Sequence, residues 1–276
     1  MHRVAAIQMA SGPNVVANLR ETARLIQEAA QLGAQLVVLP ENFACMAMNQ
    51  SDLIDIAEID GQGVLQDFLA TQAIRHNLWL VGGTFPMRIA SSDRVRSVCL
   101  CLDNHGVRRA RYDKIHLFDV TAAPDEKYCE SDIYQAGNQV VVLDTPFGRL
   151  GLAICYDLRF PELFRSLQEQ QVEIIAVPSA FTATTGKAHW EILVRARALE
   201  NLSYLIAADQ GGYHVNGRQT HGDSMIVEPW GGILARLTRG AGVICADINL
   251  EHLHSLRRNF PTLTHRKIYC QSLRSD

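Results

Sequence analysis

From its first residues the chain alternates short, continuously apolar runs with longer stretches whose apolar residues recur every three to four positions. Val4–Met9 is a strand-like opening. In Asn18–Ala30, Leu19, Ala23, Ile26 and Ala30 fall at helical spacing, and Gly33 stops that helix. Leu36–Glu41 then predicts a short buried strand, whose terminal proline and acid cannot continue a central ladder. Residues 64–76 predict a second helix, and Leu78–Phe85 predicts another buried strand. This alternation of the two periods is the α/β signature.

Further along, Ser97–Asp103 and Gly106–Tyr112 flank a turn-prone Asp103–Gly106 and predict an antiparallel hairpin. Val140–Leu143 and Leu150–Ile154 pair likewise across Pro146–Gly148. Ile174–Val177, Tyr204–Ala208, Ser224–Val227 and Val243–Asp247 are further strands, with a helix at roughly 187–201 between the first two. About ten strands exceed an average open sheet. The expected architecture is therefore two packed mixed β-sheets with outer helices, a four-layer α-β-β-α sandwich. No repeat, low-complexity tract or linker interrupts it, so residues 1–276 are expected to form a single domain. The polar stretch 119–136 is long for a connection, and such loops more often serve a site than a core.

Composition narrows the classes. The 276 residues are ample for a sizeable core, and 26 Lys plus Arg against 29 Asp plus Glu give a net charge of −3, with no field to collect nucleic acid. The nearest approach to a basic patch is Arg257, Arg258, His265, Arg266 and Lys267, for which an anion or a partner subunit competes with a plain solvated face. Seven cysteines, at 45, 99, 101, 129, 155, 245 and 270, show neither zinc-finger nor disulfide-framework spacing and point to a reducing compartment. No basic leader or signal segment precedes the first strand, and no run approaches the roughly 20 apolar residues of a membrane span. These features predict a soluble, cytoplasmic protein.

Three interruptions of strand-like runs carry candidate chemistry: Glu41, Lys114 within Arg111–Phe118, and Cys155. Cys155 sits where apolar Leu150–Ile154 breaks into the polar turn Tyr156–Arg159, before Pro161, which can open a helix. A carboxylate, an ammonium and a thiol together suit attack on a carbonyl, the acid taking the thiol proton and the cation stabilising charge on oxygen. The competing reading makes Glu41 a turn acid, Lys114 a surface cation and Cys155 a small core hydrophobe. His116, His189, His214 and His221 form no His-x-x-x-His pair or tight Cys-His cluster, so no metal is expected. Gly82–Gly83 and Gly211–Gly212 lack the spacing of a dinucleotide fingerprint or phosphate loop and read as turns or close chain approaches.

Leu36–Glu41, Tyr112–Phe118 and Leu150–Glu162 resemble, in order and separation, the three signature blocks of the nitrilase-like carbon–nitrogen hydrolases. The similarity continues through Pro178–Thr182, Gly186–Leu193, Arg195–Glu200 and His221–Gly231, and so spans essentially the whole chain. The resemblance implies that Cys155 is the nucleophile, Glu41 the general base and Lys114 the oxyanion-stabilising cation. The Tyr156 backbone N–H is then a second oxyanion donor, and Glu130 a supporting acid, with Glu126 and Asp132 as nearby alternatives. It also implies a homodimer or higher homo-oligomer and no cofactor.

Within the family the resemblance is closest to the deaminated glutathione amidase branch, carried by Cys155–Glu162, Gly186–Glu191 and the tail Leu256–Pro261 with Thr264–Lys267. The implied reaction splits an amide into 2-oxoglutarate and cysteinylglycine through a cysteine thioester. Such a substrate carries separated carboxylates, so Arg159, Phe181, Thr182, His189 and Arg195 are the expected substrate-binding residues. Arg197, Arg218, Thr184 and Thr185 are further candidates, and several of these arginines could equally form structural ion pairs. The alternatives are an ω-amidase acting on 2-oxoglutaramate or related small 2-oxo acid amides, and a catalytically silent scaffold on the same fold.

Overall fold

The computed structural model describes residues 1–123 and 126–269, so Pro124 and Asp125 of the polar stretch, and Cys270, lie outside the described residues. The chain opens as β-α-β. Strand His2–Gln8 is followed by helix α1 (Val15–Gln31) and by strand Leu36–Val38, which pairs in parallel with the first, Val4 opposite Leu36. In space the first sheet runs Gly242–Ile248, His2–Gln8, Leu36–Val38, Trp79–Val81, Val95–Leu102 and Phe85–Arg88, with Arg108–Asp113 also paired to Val95–Leu102. The second runs Ile233–Leu237, Ser224–Val227, Tyr204–Asp209, Ile174–Ser179, Gly148–Leu152 and Val142–Thr145. Both sheets mix parallel and antiparallel pairs.

The strand period of two explains the layering. Ala5, Ile7, Val37 and Leu80 cluster with Leu25 and Ile26 of α1 and Leu65 and Leu69 of the helix Val64–His76. Their alternates Val4, Ala6, Leu36 and Val38 join a second core with Leu150, Ile174 and Leu205 of the other sheet. That core also takes in Phe164 of the helix Pro161–Glu169 and Trp190 and Val194 of the helix Ala183–Asn201. Two sheets thus pack face to face with helices outside, giving the α-β-β-α sandwich.

Several expected boundaries move. Leu78–Phe85 is not one strand, because Gly83 takes φ +60 and splits it into Trp79–Val81 and Phe85–Arg88. The apolar stripe of α1 is rotated: Asn18, Thr22, Leu25, Ile26 and Ala29 are buried, since Asn18 donates to Gly12 O and Ala44 O at 2.8 Å each and ties the loops before and after the helix to it. The polar stretch after residue 119 is a two-stranded ribbon, Asp119–Ala123 against Glu126–Cys129, rather than open loop. The long helix starts at Ala183, four residues early, because Thr182 caps it by accepting the Thr185 N–H at 3.2 Å. Seventeen strands occur among the described residues, many of them short edge pieces without apolar alternation. Arg257 is not part of a solvated basic face: it donates to Leu202 O at 3.0 Å and Val172 O at 2.6 Å, and burial lowers its pKa. Among the described residues no helix is long and apolar enough to cross a membrane.

Candidate active site

Cys155 is the first residue of a 3-10 turn, Cys155–Arg159, entered directly from the second sheet. Its φ of +45 lies in the left-handed region, which a side chain with a Cβ disfavours. That conformation turns the thiol out of the strand direction, yet the residue is only 7% exposed. It is a recessed thiol on the floor of a cavity rather than a surface one. Asp157 holds the turn, its Oδ2 accepting the Ile154 N–H at 2.8 Å and the Tyr112 hydroxyl at 2.7 Å. Its Oδ1 accepts the His116 N–H at 3.2 Å and lies 2.6 Å from His116 Nδ1. Sequence reading missed this role for Asp157, Tyr112 and His116. The available signal was an acid two residues after the cysteine, inside an otherwise apolar approach.

Glu41, Lys114 and Glu130, distant in sequence, meet beside Cys155. Lys114 Nζ is 2.8 Å from Glu41 Oε1 and 2.9 Å from Glu130, with Lys114 1% and Glu41 3% exposed. Lys114 follows the strand Arg108–Asp113, and its backbone is pinned by Ser97 O and by the Gly137 N–H. Glu41 follows Pro40 at the end of Leu36–Val38, and its N–H donates to Ser179 O of the other sheet at 3.2 Å. The Glu130 Oε2 also accepts the Phe118 N–H at 2.8 Å. Of the neighbouring acids, Glu126 accepts from Tyr128 and Thr184, and Asp132 accepts from Cys129, so neither takes this place.

Burial disfavours the Lys114 ammonium, but Glu130 and Glu41 outweigh it and hold its pKa well above the ordinary lysine value. Burial pushes the Cys155 thiol well up, and the Glu41 charge adds to this; Lys114 and a backbone hydrogen bond from Ala180 oppose it without prevailing. The arrangement is a neutral thiol beside a carboxylate and a permanent cation. It can pass a proton from sulfur to Glu41 and stabilise a nearby oxyanion.

Cys155, Glu41, Lys114 and Glu130 share one cavity with Tyr156, Arg159, Phe181, Thr182, Thr185 and Arg218. Tyr156, second in the 3-10 turn, has an N–H at the start of a helical turn, where the preceding carbonyls are out of reach. Of the expected substrate-binding residues, Arg159, Phe181 and Thr182 line this cavity. His189 stands outside the lining, 3.2 Å from Arg159 Nη1. Arg195 is also outside, pairing with Glu191 at 3.2 Å and donating to Gly231 O at 2.9 Å. Arg197 pairs with Glu200 at 2.8 Å, and its Nε donates to Leu158 O. Among the described residues no group of three His, Cys, Asp or Glu side chains is arranged to hold a metal ion.

Comparison with known proteins agrees with this geometry. The carbon-nitrogen hydrolase family profile matches residues 3–258. A deaminated glutathione amidase of Synechocystis sp. is 42% identical over 265 residues, covering 95% of this chain and 97% of the relative. The crystal structure of the Caenorhabditis elegans NitFhit protein superposes with a TM-score of 0.89 at 36% identity, covering 96% of this chain and 65% of that longer chain. Saccharomyces cerevisiae Nit3, a nitrilase-superfamily member, gives 0.87 at 29% identity, with 97% of each chain covered. The chain belongs to the carbon–nitrogen hydrolase family and is an amidase-type enzyme of the nitrilase superfamily.

Proposed function

We propose that the protein is an amidase that hydrolyses deaminated glutathione to 2-oxoglutarate and cysteinylglycine, with one catalytic domain spanning residues 1–276. The observation that carries the chemistry is Lys114 held between Glu41 and Glu130 at 2.8 and 2.9 Å beside the recessed Cys155 thiol. Cys155 is the nucleophile and Glu41 its base. As sulfur attacks the amide carbonyl its proton passes to Glu41, and the carbonyl oxygen becomes an oxyanion held by Lys114 and the Tyr156 N–H. The tetrahedral adduct collapses, the C–N bond breaks, and Glu41 returns the proton to the departing amine. Water deprotonated by Glu41 then attacks the thioester, releasing the acid and restoring the thiol. Glu130 keeps Lys114 aimed while remaining outside the proton path.

The substrate assignment is supported by the name of the Synechocystis relative at 42% identity and by arginines in the cavity wall. Steady-state kinetics test it. A higher kcat/KM for 2-oxoglutaramate than for deaminated glutathione would replace the assignment with an ω-amidase. The catalytic assignment is tested with Cys155→Ala, which is expected to fold and lose turnover; retained amidase activity in pure variant removes it. The resemblance further supports a cytoplasmic homodimer, and Ile192 and Tyr213, 70% and 81% exposed, supply apolar surface for such a contact. Sedimentation at micromolar concentration showing only monomer would discard the dimer.

A further inference from the structure

Four arginines were candidates for the substrate carboxylates, and the structure divides them by what neutralises them. Arg195 and Arg197 are paired with Glu191 and Glu200. Arg159 and Arg218 line the cavity of Cys155, and among the described residues neither has a carboxylate within ion-pair distance. Arg218 belongs to the turn joining Gly211–Tyr213 and Gln219–His221. Its Nη2 donates to Ala180 O at 3.0 Å, its Nη1 lies 4.0 Å from Met46 Sδ, and its guanidinium sits 5.0 Å over the Tyr128 ring. Its Nε is buried and has no hydrogen-bond partner. The buried acid near it, Asp209, makes no ion pair with it, and burial pushes the Asp209 pKa well above the ordinary carboxyl value.

The two cations without a carboxylate partner both touch one short segment. Arg218 is bonded to Ala180, and Arg159 lies 5.4 Å over the ring of the next residue, Phe181. The Ala180 backbone also reaches the Cys155 thiol. A ligand whose reacting carbonyl meets that thiol therefore lies in a cavity whose wall carries both guanidiniums. A partly buried guanidinium with an unused donor is matched by a carboxylate, which accepts from a planar fork of N–H groups.

We propose that Arg218 is a carboxylate-binding subsite distinct from that of Arg159, so that the pair selects amides bearing a carboxylate on both sides of the scissile bond. The proposal rests on the amidase reading above and names the feature that sets its substrate class. Deaminated glutathione has a carboxylate on each side of its amide, whereas 2-oxoglutaramate has one on the acyl side only.

The test measures kcat/KM for both compounds with wild type, Arg159→Gln, Arg218→Gln and Arg218→Lys. Either Gln variant is expected to lose about 10- to 100-fold on deaminated glutathione, the range for a hydrogen bond to a charged group. The ratio of kcat/KM between the two substrates should collapse about tenfold or more in one Gln variant and stay within about threefold in the other, because only one cation faces the carboxylate that 2-oxoglutaramate lacks. Arg218→Lys should recover part of the loss, which a purely structural role for the fork would not allow. The proposal is overturned if Arg218→Gln leaves deaminated glutathione turnover within threefold, if the ratio moves alike in both variants, or if Lys recovers nothing. Failure of the wild type to turn over deaminated glutathione removes the functional reading, and the proposal with it.

Discussion

The Tyr112 hydroxyl donates to Asp157 at 2.7 Å, joining the strand that delivers Lys114 to the turn that delivers Cys155. The same fully buried carboxyl accepts the Ile154 N–H, immediately before the left-handed cysteine. A non-glycine residue in that region carries a conformational cost of about 1 kcal/mol or more. The Asp157 bonds offset that cost and set the separation of thiol and ammonium, so the relation between two catalytic side chains depends on a third residue that touches neither the sulfur nor Lys114 Nζ.

Tyr112→Phe is expected to lower stability by about 1 kcal/mol, the net worth of one hydrogen bond, and to lower kcat more than it raises KM. Asp157→Ala orphans several buried donors at once and should cost about 3 kcal/mol or more. Denaturant titration of both variants, with kinetics on the folded fraction, checks the order; equal stability of the two would discount the turn-holding role.

Lys114→Met leaves Glu41 and Glu130 without their shared cation in a closed site. Turnover should disappear and stability fall by about 3–5 kcal/mol, the cost of stripping one partner from a buried ion pair. Because the folded pKa of Lys114 is raised above its ordinary 10.5, its stabilisation is fully present through the neutral range and is lost only as pH rises past that value. Melting curves from pH 6 to 10 should show no alkaline weakening attributable to this residue when wild type is compared with Lys114→Met.

Asp209 has the same sign in a lower pH window. Its pKa is raised well above 3.8, chiefly by desolvation, while one oxygen accepts the Phe181 N–H at 2.9 Å and the other has no partner. A carboxyl with a raised folded pKa favours the native state most below its unfolded pKa and loses that advantage as pH climbs. Asp209→Asn keeps the acceptor and cannot ionise. It should therefore gain Tm relative to wild type at pH 8 and show little or no gain near pH 4; a pH-independent difference would mean that the acid is not buried neutral.

Gly83→Ala probes the support of Glu41. Gly83 has φ +60, and a Cβ there would lie 2.3 Å from Pro40 O, one residue before the acid. The expected cost is about 1–3 kcal/mol, with a loss of kcat from displacement of the Pro40–Glu41 turn. Full activity at unchanged Tm would show that this turn tolerates a shift.

Where local pattern and burial agree, elements were readable to the residue. The helix 64–76 and the strand Ser224–Val227 match their expected limits. Where a side chain is buried for its hydrogen bonds rather than its apolarity, the pattern misleads, as Asn18 and Thr22 do on α1. Gly82–Gly83 misled in another way. Apolar content extended one strand across them, while Pro40 O lies where only a residue without Cβ can pass.

By itself the sequence determined the α/β alternation, the two-sheet architecture and, through ordered signature blocks, Glu41, Lys114 and Cys155 as candidates for one site. These depend on local periodicity and residue type, which need no partner to be read. Only the tertiary structure decided that Glu130 rather than Glu126 or Asp132 faces Lys114, that Asp157 locks the cysteine turn, and that Arg195 and Arg197 are engaged in ion pairs while Arg159 and Arg218 line the cavity without a carboxylate partner. Charge pairing is a matter of distances of a few ångströms between segments tens of residues apart, and the packing of the two sheets sets those distances.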